Sequence, residues 1–107
     1  INTTIEAIDI LQKSKVNNVK VLFDTYHMYR MREDILKSIK INFNYIGHIQ
    51  LADCPGRNQP GTGEINFKKI FELLKTLDYN NWLGAEYIPI STTKESLYWL
   101  KYLDTKN

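Results

Sequence analysis

The sequence has one cysteine, two histidines and no long apolar run, and each shortage removes a class of protein. The single thiol, Cys54, excludes an intrachain disulfide and fits a reducing, cytoplasmic setting. No apolar stretch approaches the roughly 20 residues of a membrane span, and no membrane partner is expected. The opening residues, INTTIEAIDILQ, are charged and periodically polar, so no signal peptide is visible. Neither sign of charge dominates: 14 basic and 12 acidic side chains leave a net charge of +2, with no basic run. That balance predicts neither nucleic-acid binding nor an acidic tail. Gly61-Thr62-Gly63 is not a phosphate loop, because no Gly-Lys-Ser/Thr follows it. Low-complexity segments and internal repeats are also missing. What remains is 107 residues, 43% hydrophobic and 24% charged, which suits one small domain. The absence of an initial Met hints at a piece of something longer.

Three short apolar runs stand out, because each ends in a side chain able to bind a metal. They are VKVLFD, ending at Asp24; IGHIQ, ending at Gln50; and WLGAE, ending at Glu86. Read as strands, they place residues two apart on one face. Lys20 and Leu22 then join Asp24, Ile46 and His48 join Gln50, and Trp82 and Gly84 join Glu86. Each strand offers a carboxylate or carboxamide at its C-terminal end, where β/α folds put their chemistry. The pattern points to a metal-dependent active site built by several strands.

The intervening segments read as helices. Residues 3–13 carry Ile5, Ile8 and Leu11 at near-helical spacing, with Thr3 or Thr4 as N-cap, and Asn17-Asn18 is the turn that follows. The first strand covers residues 19–24, and residues 25–32 read as a loop. Residues 33–42 form a helix with the stripe Ile35, Leu36, Ile39 and Phe43, its dipole complemented by Glu33 and Asp34. The second strand covers residues 46–52. Residues 53–64 hold three glycines and two prolines, an irregular loop too long for an ordinary βα connection and of a kind that tends to be functional. Asn66 then caps the best amphipathic stripe, Phe67, Ile70, Phe71, Leu74 and Leu77. Asn80-Asn81 is a turn, and residues 82–87 are the third strand. Thr92 and Glu95 have capping-box spacing ahead of a last helix carried by Leu97, Leu100 and Leu103. The order α-β-α-β-α-β-α implies parallel strands with helical crossovers.

Three parallel strands cannot close a barrel. A (β/α)8 barrel takes about 250 residues, and this chain supplies roughly two-fifths of one. The inward face would carry Lys20, Asp24, His48, Gln50 and Glu86. So many polar groups suit an arc of a larger barrel better than a free-standing core, although a small three-stranded α/β domain is the alternative.

Four motifs, FDTYHMYRM, GHIQLADCPGR, PGTGEINF and GAEY, resemble the hydroxypyruvate isomerase family of xylose-isomerase-like TIM barrels, which is also similar to the sugar epimerases. The resemblance runs in order over nearly the whole chain. It implies an α/β fold, the C-terminal arc of a (β/α)8 TIM barrel comprising its last three strands, with residues 1–107 a partial domain. It also implies a divalent metal, Mg²⁺ or Mn²⁺, held by Asp24, Gln50 and Glu86, with Glu86 doubling as one of two acid/base carboxylates. The family's other Glu lies on the preceding strand, before Ile1. The chain alone is therefore expected to be inactive. One departure concerns substrate choice: the resemblance leads one to expect His-Glu after Arg57, and Asn58-Gln59 stands there.

Each candidate has a plainer reading. A strand-end Glu is commonly a surface residue, Asp24 before a Thr can simply cap a helix, and Gln50 can be a satisfied buried amide. His27 is a substrate-binding candidate or an ordinary loop histidine. Arg57 can pair with a substrate carboxylate or be solvated. His48 reads as a histidine that orients its neighbours, and Glu64 as an anchor of the long loop. Cys54 reads as unreactive, and Trp82 and Trp99 as packing residues.

The expected reaction interconverts hydroxypyruvate and tartronate semialdehyde through an enediolate. A sugar or keto-acid epimerase on the same barrel is the enzymatic alternative, disfavoured by Gln50 where epimerases tend to have His. A nuclease of the superfamily would need more zinc-binding histidines than His27 and His48. The other class is a non-catalytic truncated product, or a half-barrel that assembles with the missing N-terminal part or as a homo-oligomer through its exposed strand edges.

Overall fold

The computed structural model describes residues 3–15 and 18–103. Three strands, β1 (Val21–Asp24), β2 (Ile46–Leu51) and β3 (Leu83–Ala85), form one parallel sheet in the order β1-β2-β3. Around them run α1 (Thr4–Ser14), α2 (Thr25–Arg30), α3 (Ile35–Asn42) and α4 (Phe67–Thr76), with 3-10 turns at Phe43–Tyr45 and Glu95–Tyr102. The turn expected at Asn17-Asn18 lies partly outside the described residues.

One face of the sheet is covered and the other is not. Phe23, Ile49 and Leu51 are buried with Ile35 and Ile39 of α3 and Phe67, Ile70, Phe71 and Leu74 of α4. Each such side chain contributes about 2 kcal/mol by leaving water. The expected α4 stripe is therefore the one that builds the core, and Asn66 accepts the Lys69 N–H at its start. On the opposite face Leu22 is 55% exposed and Trp82 is 83% exposed. A parallel sheet with helices on one side only has the geometry of a barrel arc, whose inner face other strands would fill.

Several elements differ from the sequence expectation. Residues 25–30 are helical, not loop, because Asp24 accepts the His27 N–H as an N-cap and two helices thus link β1 to β2. Helix α3 begins only at Ile35, capped by Asp34 through the Lys37 N–H. Glu33 instead accepts from the backbone N–H and the hydroxyl of Thr4, at 2.7 and 3.0 Å, and complements the dipole of α1. Ile46 is buried with Ile49 and Leu51 instead of sharing the His48 face. The cause is an extra residue in β2: Val21 pairs with Ile46 but Leu22 pairs with His48, so Gly47 is bulged and the alternation flips. The final helix is 3-10, and its buried residues are Ser96 and Trp99, while Leu97, Leu100 and Leu103 are exposed. Trp99 stacks on Phe71 and donates its indole N–H to the Tyr87 hydroxyl, so its aromatic packing sets the helix orientation. Trp82, expected to pack, does not.

Candidate active site

The register places the strand-end residues together. Asp24 pairs with Gln50, and Gln50 pairs with Gly84. Glu86 lies two residues beyond Gly84, and its N–H continues the ladder to the Leu51 carbonyl at 3.1 Å. By strand alternation Asp24, Gln50 and Glu86 share the uncovered face, at the C-terminal end of the sheet. Asp24 and Gln50 are half-buried and Glu86 is exposed. Thr25 fastens the first two strands just beyond this point: its fully buried hydroxyl donates to the Ala52 carbonyl at 3.0 Å and accepts from the Ala52 N–H at 3.2 Å.

One Asp24 oxygen caps α2 by accepting the His27 N–H at 3.1 Å. The plain reading of Asp24 is thus satisfied by one oxygen, and the other remains for a ligand. All three side chains offer oxygen, the donor type preferred by hard divalent cations. Two are carboxylates and one is an amide, and the described residues contain no group of three His, Cys, Asp or Glu able to hold a metal. The donor chemistry therefore fits a hard cation and does not fit a soft-metal or zinc–thiolate centre.

The remaining expected residues fall into two groups. His48 is half-buried on the same face, and its ring lies over Gly84, where an added Cβ would stand 2.7 Å from Nε2. His27 is exposed in the first turn of α2, its ring edge-on to Tyr26 at 5.6 Å between centroids. Arg57 is half-buried in the long loop, its guanidinium 5.2 Å from the centre of the Tyr26 ring. Its backbone is left-handed, with φ 61°. That conformation costs a non-glycine residue about 1 kcal/mol and so must be held by its surroundings. The holding bonds are the Arg57 carbonyl accepting from Ile88 at 2.8 Å and the Asn58 carbonyl accepting from Asp53 at 2.8 Å. Asn58 and Gln59 also face the segment after β3: Asn58 donates to the Ile88 carbonyl, and Gln59 accepts the Ile90 N–H.

Glu64 is exposed and accepts a hydrogen bond from Tyr29, which raises the Tyr29 pKa. The buried centre of the loop is a residue that sequence reasoning passed over, Asp53. It is 1% exposed, and its carboxylate accepts four backbone N–H groups, from Cys54, Gly61, Gly63 and Ile65, at 2.8 to 3.0 Å. The glycine spacing of the loop was the available signal, since Gly63 has no room for a side chain against the Cys54 carbonyl and Asp53. Cys54 is buried, and that burial pushes its thiol pKa up, which agrees with an unreactive thiol. Tyr26 was also passed over; its neighbours Arg57 and Arg30 come together only in three dimensions.

Comparison with known proteins agrees with the fold. The family described as xylose isomerase-like TIM barrel matches residues 1–103. A hydroxypyruvate isomerase of Escherichia coli (strain K12) is 39% identical over 97 residues, covering 91% of this chain and 38% of the relative. A 2-oxo-tetronate isomerase of Cupriavidus necator is 43% identical over 84 residues, covering 78% of this chain and 32% of the relative. The crystal structure of an AP endonuclease, family 2, from Brucella melitensis matches with a TM-score of 0.90 at 32% identity, over 94% of this chain and 39% of its own. The chain thus spans less than half the length of these relatives. With three parallel strands, one helix-covered face and a family match over nearly its whole length, the chain belongs to the xylose isomerase-like TIM barrel family and forms an arc of that barrel.

Proposed function

We propose that this chain contributes the strand-end half of an isomerase site that acts on a small hydroxy-keto acid, of which hydroxypyruvate is the type. The observation that carries it is the register: Asp24 beside Gln50, with Glu86 one step further along the next strand, on one uncovered face. A divalent cation, Mg²⁺ or Mn²⁺, suits this all-oxygen set and, when bound, supplies charge stabilisation to a developing oxyanion. Asp24 and Gln50 orient the substrate oxygens, and Glu86 moves a proton. Isomerisation takes a proton from C3 of hydroxypyruvate to give the enediolate, moves the O3 hydroxyl proton to O2 and returns a proton to C2, giving tartronate semialdehyde. Glu86 serves one of these two transfers. The resemblance puts the second acid/base carboxylate on the preceding barrel strand, so turnover needs that strand as well. Arg57 pairs with the substrate carboxylate, for which a forked guanidinium is suited.

A four-carbon acid is the second reading, favoured by the 43% identity to a 2-oxo-tetronate isomerase. Both substrates present a carboxylate next to an oxygenated carbon, so the same residues serve either.

Titration with Mn²⁺, followed by paramagnetic broadening of the amide NMR signals, tests the site. Residues 24, 50 and 86 should broaden first, and Asp24→Asn and Glu86→Gln should each suppress the effect. Uniform broadening in the parent chain would refute it. In a full-length barrel containing these residues, Glu86→Gln should lower kcat on hydroxypyruvate by roughly 100-fold or more.

A further inference from the structure

Tyr26 stands where the separately derived parts of the site meet. It lies in the first turn of α2, two residues after Asp24. Its half-buried ring packs against the core, edge-on to His27. Two guanidiniums lie over that ring, Arg57 at 5.2 Å and Arg30 at 5.7 Å from its centre. Neither arginine forms an ion pair with a carboxylate among the described residues. The Tyr26 hydroxyl makes no hydrogen bond among the described residues, so its neighbours use the ring face and edge. The Arg57 backbone is independently held in its left-handed conformation by Ile88. Backbone and side chain of Arg57 therefore each have a partner. Two cations around one ring also raise the local positive potential near Asp24.

We propose that Tyr26 is a positioning residue that holds the Arg57 guanidinium, with Arg30 beside it, to receive the carboxylate end of the substrate. It thereby selects acids over neutral ketoses. The proposal rests on the reading that the site takes a hydroxy-keto acid. Tyr26 touches no reacting atom; it removes the freedom that an exposed arginine would otherwise lose on binding.

The test uses the 107-residue chain with Mg²⁺ and two probes, hydroxypyruvate and the uncharged 1,3-dihydroxyacetone, with dissociation constants measured by NMR titration. Tyr26→Leu should weaken hydroxypyruvate binding roughly fivefold, the effect of losing one to two exposed cation–π contacts. Tyr26→Phe, which keeps the ring, should stay within about twofold of the parent. Dihydroxyacetone binding should be unchanged in both variants. The upfield ring-current shift of the Arg57 side-chain signals should persist in Tyr26→Phe and vanish in Tyr26→Leu. Unchanged hydroxypyruvate binding in Tyr26→Leu overturns the proposal and leaves the site reading standing. Equal weakening of both probes also overturns it, because the ring would then only support the fold. If the parent chain binds neither probe, the site reading itself fails and the proposal falls with it.

Discussion

Asp53→Asn is the substitution that most sharply separates a loop organised by one carboxylate from a loop that packs by itself. In the parent, Oδ1 accepts from Cys54 and Ile65, and Oδ2 accepts from Gly61 and Gly63. An Asn keeps one oxygen and turns an NH2 group toward two N–H donors. The favoured orientation keeps the oxygen on the buried Cys54 and Ile65 pair. The two lost bonds are then those to Gly61 and Gly63, whose residues are exposed and can be rehydrated. Hydrogen bonds to a charged acceptor are worth about 1.5–3 kcal/mol each. With rehydration the lower end applies, and the loss is about 3 kcal/mol. For a small domain that is a large part of the total stability of about 5–15 kcal/mol. Urea unfolding followed by tryptophan fluorescence should show a midpoint lower by about 2 M, taking a slope near 1.5 kcal/mol/M. Gly63→Ala provides an independent route to the same defect, since its methyl would collide with the Cys54 carbonyl and the Asp53 carboxylate. The two substitutions should be less than additive, because they disrupt one loop. A midpoint for Asp53→Asn within about 0.2 M of the parent would show that the carboxylate does not organise residues 53–64.

Two further expectations concern titration and thiol chemistry. Burial raises the Cys54 pKa, so at pH 8 the folded chain should react with a disulfide reagent far more slowly than a free thiol, and urea should restore the rate; fast reaction when folded would contradict the buried placement. Hydrogen bonds from Ser91 and Thr92 hold the Glu95 carboxyl below its usual range. A depressed folded pKa contributes stability that is present above the unfolded pKa and lost as pH falls through the folded one. The turn at residues 92–95 should therefore loosen on acidification below the usual glutamate range, seen as faster amide exchange at Ser96. Glu95→Gln should remove that pH dependence, and its persistence would assign it to another group.

Legibility in the sequence followed the range of the interactions. The α4 stripe and the Asn66 cap are readable because both depend on residues within one or two turns, and the structure reproduces them. Thr92 and Glu95 are legible only in part: their hydrogen bonds form at the expected spacing, but the 3-10 segment starts at Glu95, with Lys94 at its cap position and no side-chain cap. Failures came where distant residues decide. The flip of Ile46 depends on the bulge at Gly47, which is defined only by pairing with β1. Glu33 reads from the sequence as part of its own helix because its partner, Thr4, lies 29 residues away. Leu97, Leu100 and Leu103 have helical spacing, but the aromatic cluster of Phe71, Tyr87 and Trp99 orients that segment.

By itself the sequence determined the strand-and-helix alternation, the strand-end trio Asp24, Gln50 and Glu86, and the family to which they belong. All three rest on period-two alternation and on short motifs, which survive without knowledge of partners. Tertiary structure alone decided which face of the sheet is uncovered, how Asp53 gathers four backbone N–H groups, and that Tyr26 collects Arg30, Arg57 and His27 around one ring. These depend on contacts between segments whose spacing along the chain carries no periodic signal, so only the folded backbone brings them within reach.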